Sequence, residues 1–298
     1  MPDAVIVAEN LRFGPKYSRE YRVWRDAKLR ARDGTRIAAM VEIRDPLQLG
    51  AGELAALKHQ LACHNLAFYC CARDVDAGTM CALGRQLGLR RLDHHLCADR
   101  SGIATIADGS TPGSGEFIPY TTRALNWHTD GYYVPVMRSV RAFVLHCVEA
   151  AVDGGANRFY DHELAYIMLR EREPLWIDAL SQRDVLTIPG YAVDSGVSRP
   201  DISGPVFSVR SDGGLHMRYT ARTRHVVWKR DTAVQEAIGF LHEILDDPDG
   251  YGCRHTLRAG EGVVCANVLH SRDAYVDNQP VQRRKLLRAR YRDPLDVH

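Results

Sequence analysis

A histidine and a carboxylate two positions apart, His128 and Asp130, constrain the fold of this chain more than any other feature. On an extended strand, residues i and i+2 project from the same face, so both side chains can reach one point. A third donor, His270, ends an apolar segment, residues 262–269, much later in the chain. Donors so distant in sequence meet when their strands become neighbours in space. The sequence therefore predicts a strand-rich fold that brings the three side chains together.

The remaining pattern predicts a mainly β protein with covering helices. Apolar spacing predicts helices over 52–64, 74–87 with Asp74 as N-cap, 161–172 and 232–245. Strand-like runs occur in 1–48, notably 38–43, and at 66–71, 255–259, 262–266 and 286–291, with a hairpin joining 204–210 to 215–220. We expect a double-stranded β-helix, or jelly roll, forming one domain over 1–298. An N-terminal strand and helix extension of about 1–100 and helical insertions complete that domain.

Composition excludes several classes of partner. The 298 residues carry 39 basic and 37 acidic side chains, a formal charge of +2, which argues against nucleic acid or an anionic membrane. The N-terminus has no basic leader and no apolar run long enough for a signal peptide. Eight cysteines lack CxxC spacing, as is typical of reduced thiols. We therefore expect a cytoplasmic protein that acts on a small molecule.

Arginines crowd the last predicted strand. If this run is extended, Arg284, Arg288 and Arg290 share one face with Leu286. Three guanidiniums on one face form an anion site, because arginine binds carboxylates with two parallel hydrogen bonds. The alternative is that Arg288 and Arg290 are surface ion-pair partners on a solvated strand.

These motifs resemble the taurine dioxygenase (TauD/TfdA) family of Fe(II)- and 2-oxoglutarate-dependent oxygenases, from about residue 41 to residue 291. The matching motifs are Trp127-His128-Thr129-Asp130, Gly154-Gly155-Ala156-Asn157, Val268-Leu269-His270 and Arg283-Arg284-Lys285-Leu286-Leu287-Arg288.

The resemblance implies a role for each matching position. The implied iron ligands are His128, Asp130 and His270. Arg284 would hold the distal carboxylate of 2-oxoglutarate, and Arg288 would lie near the other carboxylate or the substrate. Family members commonly place threonine two residues after the Gly-Gly turn to bind the cosubstrate. Asn157 stands there, and its amide can donate a hydrogen bond in the same role.

The implied reaction consumes O2 and 2-oxoglutarate at Fe(II), releases succinate and CO2, and oxidises a C–H bond of a small anionic or zwitterionic substrate. Asp130 occupies the position that halogenating relatives leave to halide, which favours hydroxylation, or oxidation following it. Two alternatives use the same ligands: a non-catalytic jelly-roll sensor of metal or oxoacid, and a zinc hydrolase. Relatives commonly self-associate, so a homo-oligomer is an open possibility.

Other polar residues have simpler interpretations. The side chains of adjacent His94 and His95 point apart on a strand, which favours a loop or surface role over a metal pair. Arg272 is expected either to pair with a carboxylate near the metal or to be solvated. Arg218 and Arg222 belong to a half-buried strand, with the sharper hypothesis that one of them lines a substrate pocket.

Overall fold

The computed structural model describes residues 12–13, 18–34, 39–109, 117–192, 198–247, 250–278 and 281–297. The helices are α1 (Arg19–Asp33), α2 (Ala51–His64), α3 (Ala77–Gln86), α4 (His162–Arg172), α5 (Pro174–Leu180) and α6 (Thr232–Asp246). The strands are β1 (Met40–Ile43), β2 (Leu66–Cys71), β3 (Ile103–Ile106), β4 (Leu125–His128), β5 (Ala142–Glu149), β6 (Asp153–Gly154), β7 (Asn157–Tyr160), β8 (Leu186–Ile188), β9 (Tyr191–Ala192), β10 (Ser198–Arg199), β11 (Ile202–Gly204), β12 (Phe207–Val209), β13 (Leu215–Met217), β14 (Val227–Trp228), β15 (Cys253–His255), β16 (Glu261–Cys265), β17 (Leu269–Arg272), β18 (Tyr275–Val276) and β19 (Lys285–Tyr291).

Contacts between Cα atoms divide the chain into two compact units. The barrel unit comprises the described parts of 34–130, 140–159 and 253–298. The helical unit comprises the described parts of 1–33, 131–139 and 160–252. The organisation as one domain over 1–298 stays a prediction.

Two main sheets build the barrel unit, which also contains the strand pair β6 and β18. The larger sheet has six strands in the order β1-β2-β16-β5-β19-β3, and the smaller has four in the order β15-β7-β17-β4. Neighbours such as β2 and β16 lie far apart in sequence, as a jelly roll requires. Leu66, Phe68 and Phe143 of the larger sheet share a buried core with Phe159 of the smaller one, and the rings of Phe68 and Phe159 are 5.7 Å apart. The fold class predicted from the sequence is therefore confirmed.

A second core covers the outer face of the larger sheet. Leu57 and Leu61 of α2, with Met80 and Leu83 of α3, pack there against sheet residues. Strand β19 divides its side chains between the two cores by simple alternation. Leu287, Ala289 and Tyr291 join the outer core, whereas Leu286 belongs to the inner one. Arg288 and Arg290 share the inward parity of Leu286, so the strand carries two buried guanidiniums into the interior.

The helical unit joins helices α1, α4, α5 and α6 to short strands, including the three-stranded sheet β11-β8-β14 and the predicted hairpin of β12 and β13. Lys28 of α1 is buried and lies 2.7 Å from both Asp161 and Glu163 at the start of α4. Burial disfavours its charge, but the two carboxylates raise the pKa of the Lys28 ammonium above its ordinary value. No helix within the described ranges combines the length and apolar character needed to cross a membrane.

Several local predictions need correction. Residues 19–33 form helix α1 rather than a strand, because the helix is stabilised by distant carboxylates that its own pattern does not reveal. Helix α3 starts at Ala77, and its N-cap is Asp76, whose side chain accepts a hydrogen bond from Thr79 N. The predicted strand 255–259 lies earlier, as β15, because a turn at Gly260 precedes β16. Residues 1–11 of the predicted extension lie outside the described residues.

Candidate metal centre

The two histidines face each other across a strand pair of the smaller sheet. Strands β4 and β17 are antiparallel, and His128 and His270 are direct partners in their register. The ring centroids lie 4.2 Å apart. Together with Asp130, their ligand atoms all fall within 4.8 Å of one another. Within the described ranges, this is the one cluster of three such side chains that close together.

Both imidazoles are held with the same nitrogen towards the cluster. His128 Nδ1 lies 2.8 Å from the Asn126 carbonyl, and His270 Nδ1 lies 2.9 Å from that of Val268. A carbonyl oxygen only accepts, so each Nδ1 donates, and Nε2 keeps its lone pair in the neutral ring. Burial lowers the pKa of His128 to about 3 and also lowers the pKa of His270. Both rings are therefore neutral at pH 7, the form that binds metal.

Asp130 lies beyond the end of its strand, so the prediction that one strand carries both His128 and Asp130 is wrong. Strand β4 ends at His128, and Asp130 enters a turn before Gly131. Its backbone is fixed by Asn267, whose Oδ1 accepts from Asp130 N at 2.7 Å and whose Nδ2 donates to Asp130 O at 3.0 Å. Asn267 Nδ2 also donates to the Val140 carbonyl at 2.8 Å. This one amide clamps the turn that presents the carboxylate.

Asn267 also corrects the expected path to His270. The apolar strand β16 ends at Cys265, and Asn267 follows with a φ of 52°. Asparagine tolerates this left-handed conformation better than most residues. The chain then starts the separate strand β17, so His270 is its second residue rather than the end of the apolar strand.

The Asp130 carboxylate has one occupied and one available oxygen. Its Oδ1 lies 3.2 Å from Arg288 Nη1 and 3.8 Å from Arg290 Nη1. Its Oδ2 is buried and has no hydrogen-bond partner among the described residues. Burial alone would raise the pKa of Asp130, but the two guanidiniums hold it well below its ordinary range. An ionised, orphaned oxygen beside two neutral imidazoles fits a divalent transition metal such as Fe(II).

Arg290 continues the charged contacts away from the metal cluster. Its Nη2 lies 2.5 Å from Asp93 Oδ2, and Arg292 Nη2 lies 3.2 Å from the other oxygen of Asp93. Arg288 and Arg290 are only 7% and 2% exposed. The alternative of a solvated strand with surface ion pairs is therefore wrong for both residues.

A pocket adjoins the cluster inside the barrel unit. Its polar lining includes Asn157, His270, Arg284 and Arg288. Asn157 Nδ2 and Arg284 Nη1 are both buried without a hydrogen-bond partner in the described part of the chain. Two unsatisfied donors, one of them cationic, fit the carboxylate of a bound oxoacid. The apolar lining residues are Ile106, Pro119, Leu125, Phe143, Leu145, Phe159 and Leu286.

The ring of Tyr275 packs against two arginines that line this pocket, Arg272 and Arg284. The guanidinium carbons of Arg272 and Arg284 each lie 4.9 Å from its ring centroid. Arg272 is buried and donates to the carbonyls of Pro119 and Thr121, at 3.1 and 2.8 Å, and of Arg123. Arg272 is therefore neither solvated nor paired with a carboxylate, and both expectations for it are wrong. Burial lowers the pKa of Arg284, which pairs with no carboxylate of the described chain.

The Gly-Gly turn is required by close packing beneath Arg284. Gly154 and Gly155 have φ values of 77° and 69°, a region that favours glycine. A Cβ on Gly154 would lie 2.4 Å from the Ala274 carbonyl oxygen, and one on Gly155 would lie 3.3 Å from Arg284 Nε. The turn thus brings strand β18 and Arg284 against the start of β7, which carries Asn157.

The remaining candidates have other surroundings. His95 is half-buried, its Nδ1 accepts from Cys97 N at 3.2 Å, and burial together with the charges of Arg290 and Arg288 lowers its pKa to about 3. Arg218 is buried and donates to four backbone carbonyls of the helical unit, so its guanidinium is structural. Its acceptors belong to Tyr132, Leu186, Gly204 and Ile202. Arg222 donates to the Tyr132 hydroxyl at 3.0 Å.

Sequence reasoning missed three residues that shape the site: Asp93, Asn267 and Tyr275. Asn267 left a usable signal, because a polar residue interrupts an apolar run three positions before His270. Asp93 and Tyr275 left none, since their partners Arg290 and Arg284 are recognised only when the strands are assembled.

Comparisons with known proteins agree with this geometry. The family model described as taurine catabolism dioxygenase TauD, TfdA family, matches residues 27–290. A uridine-5'-phosphate dioxygenase of Amycolatopsis is 33% identical over 181 residues, which cover 57% of this chain and 62% of that relative. The match therefore spans less than two thirds of the relative's length.

Solved structures share the fold at low identity. A putative α-ketoglutarate-dependent taurine dioxygenase from Burkholderia xenovorans has a TM-score of 0.57 at 18% identity, covering 87% of this chain and 88% of its own. PvcB from Pseudomonas aeruginosa has a TM-score of 0.58 at 18% identity, with 85% of each chain covered. An asparagine oxygenase solved with Fe(II) and succinate has a TM-score of 0.56 at 15% identity, covering 80% and 78%. The chain belongs to the TauD/TfdA family and has the jelly-roll fold of these solved structures.

Proposed function

We propose that this chain is an Fe(II)- and 2-oxoglutarate-dependent dioxygenase that uses O2, and that His128, Asp130 and His270 bind its Fe(II). The observation that carries the proposal is the convergence of two neutral imidazoles and one orphaned carboxylate oxygen within 4.8 Å. Three protein ligands would leave coordination positions for a cosubstrate and O2. When bound, the metal and 2-oxoglutarate supply the oxidant for a substrate C–H bond, with release of succinate and CO2.

Arg284 and Asn157 are the proposed ligands of the distal carboxylate of 2-oxoglutarate. Both donors are buried, both line the pocket beside His270, and neither has a protein acceptor among the described residues. A carboxylate there would receive a charge-assisted bond from Arg284 and a second bond from the Asn157 amide. Tyr275 holds the guanidinium from the side with its ring.

Arg288 is proposed to bridge the metal centre and the pocket. It contacts Asp130 at 3.2 Å and also lines the pocket. Its guanidinium has five donors, so it can keep a bond to Asp130 while it donates to an anion of the cosubstrate or the substrate. Together with the apolar lining residues, Arg288 would help to exclude water from the reacting atoms.

The substrate is proposed to be a small anionic or zwitterionic molecule. The guanidiniums of Arg284 and Arg288 line the pocket beside His270 and make it cationic. The relative named uridine-5'-phosphate dioxygenase makes nucleoside 5'-phosphates the first compounds to test. The relatives named above are oxygenases and give no support to the sensor or zinc hydrolase alternatives.

We place the enzyme in the cytoplasm and expect it to self-associate. The eight cysteines form no disulfide among the described residues, as is typical of a reducing compartment. Cell fractionation and light scattering of the purified protein test these two statements. A secreted protein or a strict monomer would contradict them.

Anaerobic titration tests the proposed centre directly. Fe(II) followed by 2-oxoglutarate should produce a weak visible charge-transfer band in the wild-type protein, and admission of air should produce succinate. His270→Ala and Asp130→Ala should abolish both signals, whereas Lys285→Met, an exposed position on β19, should preserve them. A band of unchanged intensity in His270→Ala would overturn the ligand assignment. Succinate formation with a panel of nucleoside phosphates, amino acids and sulfonates then identifies the substrate class.

A further inference from the structure

Three buried charged side chains follow one another at the proposed metal site: Asp130, Arg290 and Asp93. Arg290 lies between Asp130 and Asp93, with Nη1 at 3.8 Å from the first and Nη2 at 2.5 Å from the second. Both side chains of the Arg290–Asp93 pair are nearly inaccessible, at 2% and 3% exposed. The Asp93 backbone N–H also donates to the Arg290 carbonyl at 2.7 Å. The pair is therefore held through main chain and side chain together.

We propose that Arg290, anchored by Asp93, is a positioning residue for Asp130. It holds Oδ1 of that carboxylate on the guanidinium side, so that the orphaned Oδ2 faces the metal. This inference rests on the proposed function, in which Asp130 is an iron ligand.

Arg288 alone does not explain this arrangement. Arg288 lines the pocket, so its guanidinium is shared between Asp130 and an incoming anion. Arg290 is absent from the described lining of that pocket, and Asp93 holds its opposite edge. A planar guanidinium can bind two carboxylates through different nitrogens, which an ammonium does less well. Arg290 therefore keeps its contact with Asp130 whether or not Arg288 is engaged by a ligand.

Asp93 also compensates the charge of Arg290. Two guanidiniums within 4 Å of a metal carboxylate would otherwise oppose the binding of a dication. With Asp93 in contact, Arg290 orients Asp130 without adding a net positive charge beside the metal. Removal of Asp93 alone should therefore weaken metal binding even though Arg290 remains.

Arg292, directly after the end of β19, supplies a matched control. It pairs with Asp93 at 3.2 Å, but its side chain is 32% exposed and it makes no described contact with Asp130. If Arg290 affected metal binding only by neutralising the charge of Asp93, replacement of Arg292 would weaken metal binding to a comparable extent. If Arg290 acts through its contact with Asp130, replacement of Arg292 should have almost no effect.

Binding of Co(II) to the metal-free protein without cosubstrate tests the proposal. Calorimetry gives the dissociation constant, and the visible Co(II) absorption reports the geometry of its ligands. Arg290→Gln should weaken binding about 10- to 100-fold, the usual effect of losing a residue that supports a metal ligand. Arg290→Lys should recover part of this loss, and Arg292→Gln should stay within about twofold of the wild type.

A double variant tests whether Asp93 acts through Arg290, and it avoids leaving a single unpaired charge that could prevent folding. Asp93→Asn with Arg290→Gln removes both charges, so that neither is buried alone, and near-ultraviolet circular dichroism checks that it folds. If Asp93 acts through Arg290, the double variant should bind Co(II) no more weakly than Arg290→Gln. If the double variant instead lost as much Co(II) affinity as the two single variants combined, Asp93 and Arg290 would act independently, and this part of the proposal would be overturned. Equal affinity and spectrum of the wild type and Arg290→Gln would overturn the inference but leave the proposed function intact, whereas a wild type that binds no Co(II) would overturn both.

Discussion

The two ends of the segment 284–290, which carries several arginines, differ in how the charges of their arginines are balanced. Arg284, just before β19, is buried against Tyr275, and its guanidinium forms no ion pair with a carboxylate of the described residues. Arg290, near the other end, lies between Asp93 and Asp130. The burial of the two side chains is nearly the same, at 5% and 2% exposed. The two guanidiniums therefore differ in whether a protein carboxylate balances their charge, and not in their burial. We interpret the unbalanced guanidinium as a ligand-binding group and the balanced one as structural support.

The stability of the metal-free protein provides the largest expected contrast. Arg290→Met leaves Asp93 and Asp130 with one cation fewer and should lower the free energy of unfolding by about 3–5 kcal/mol. Arg284→Met removes a cation that has no internal carboxylate, so its loss should be far smaller. Urea unfolding followed by circular dichroism measures both. Equal losses at the two ends would contradict the comparison.

Cosubstrate affinity should show the opposite order. Arg284→Met removes a buried cation from the proposed 2-oxoglutarate carboxylate, which should weaken binding by about 2 kcal/mol or more, roughly 30-fold. The measurement is the dissociation constant of 2-oxoglutarate in the Fe(II)-loaded protein without O2. Lys285→Met, at an exposed neighbouring position, is the control and should bind normally. Wild-type affinity in Arg284→Met would refute the assignment of this end to the cosubstrate.

The Gly-Gly turn supports only the Arg284 end, so its effect should be intermediate. Gly154→Ala combines a φ of 77° with a Cβ only 2.4 Å from a carbonyl oxygen. It should destabilise the protein by about 1–3 kcal/mol. Gly239 is an exposed position of α6 at which an added Cβ would meet no atom within 4 Å. Gly239→Ala should therefore stabilise the protein by about 0.5–1 kcal/mol. Thermal unfolding compares the two, and a tolerated Gly154→Ala would disprove the packing argument.

The sequence predicted the parts of this site that depend on local pattern. Strand alternation predicted that Arg288 and Arg290 share one face, and donor chemistry predicted the group of His128, Asp130 and His270. Both inferences need only the periodicity of a strand and the chemistry of the side chains.

What the sequence did not predict depends on pairs formed in three dimensions. Asp93 reaches Arg290 only because the segment after α3 lies beside β19. Asp130 lies beyond β4 because Asn267, from the distant turn before β17, binds its backbone. Neither contact has a periodic signature, because each joins segments whose proximity follows from the assembled sheets. A single sequence gives the chemistry of such residues but not their partners.

Asn157 offers the smallest and most specific test of the comparison. Its buried Nδ2 lacks a partner among the described residues, so the metal-free protein gains nothing from this donor. Asn157→Ala should leave the stability of the metal-free protein unchanged or slightly higher, yet weaken 2-oxoglutarate binding by about 1 kcal/mol, roughly fivefold. Asn157→Thr retains a donor and should lose less. Since opposite signs in stability and affinity are expected only of a donor reserved for a ligand, a parallel loss of both would show that Asn157 is structural.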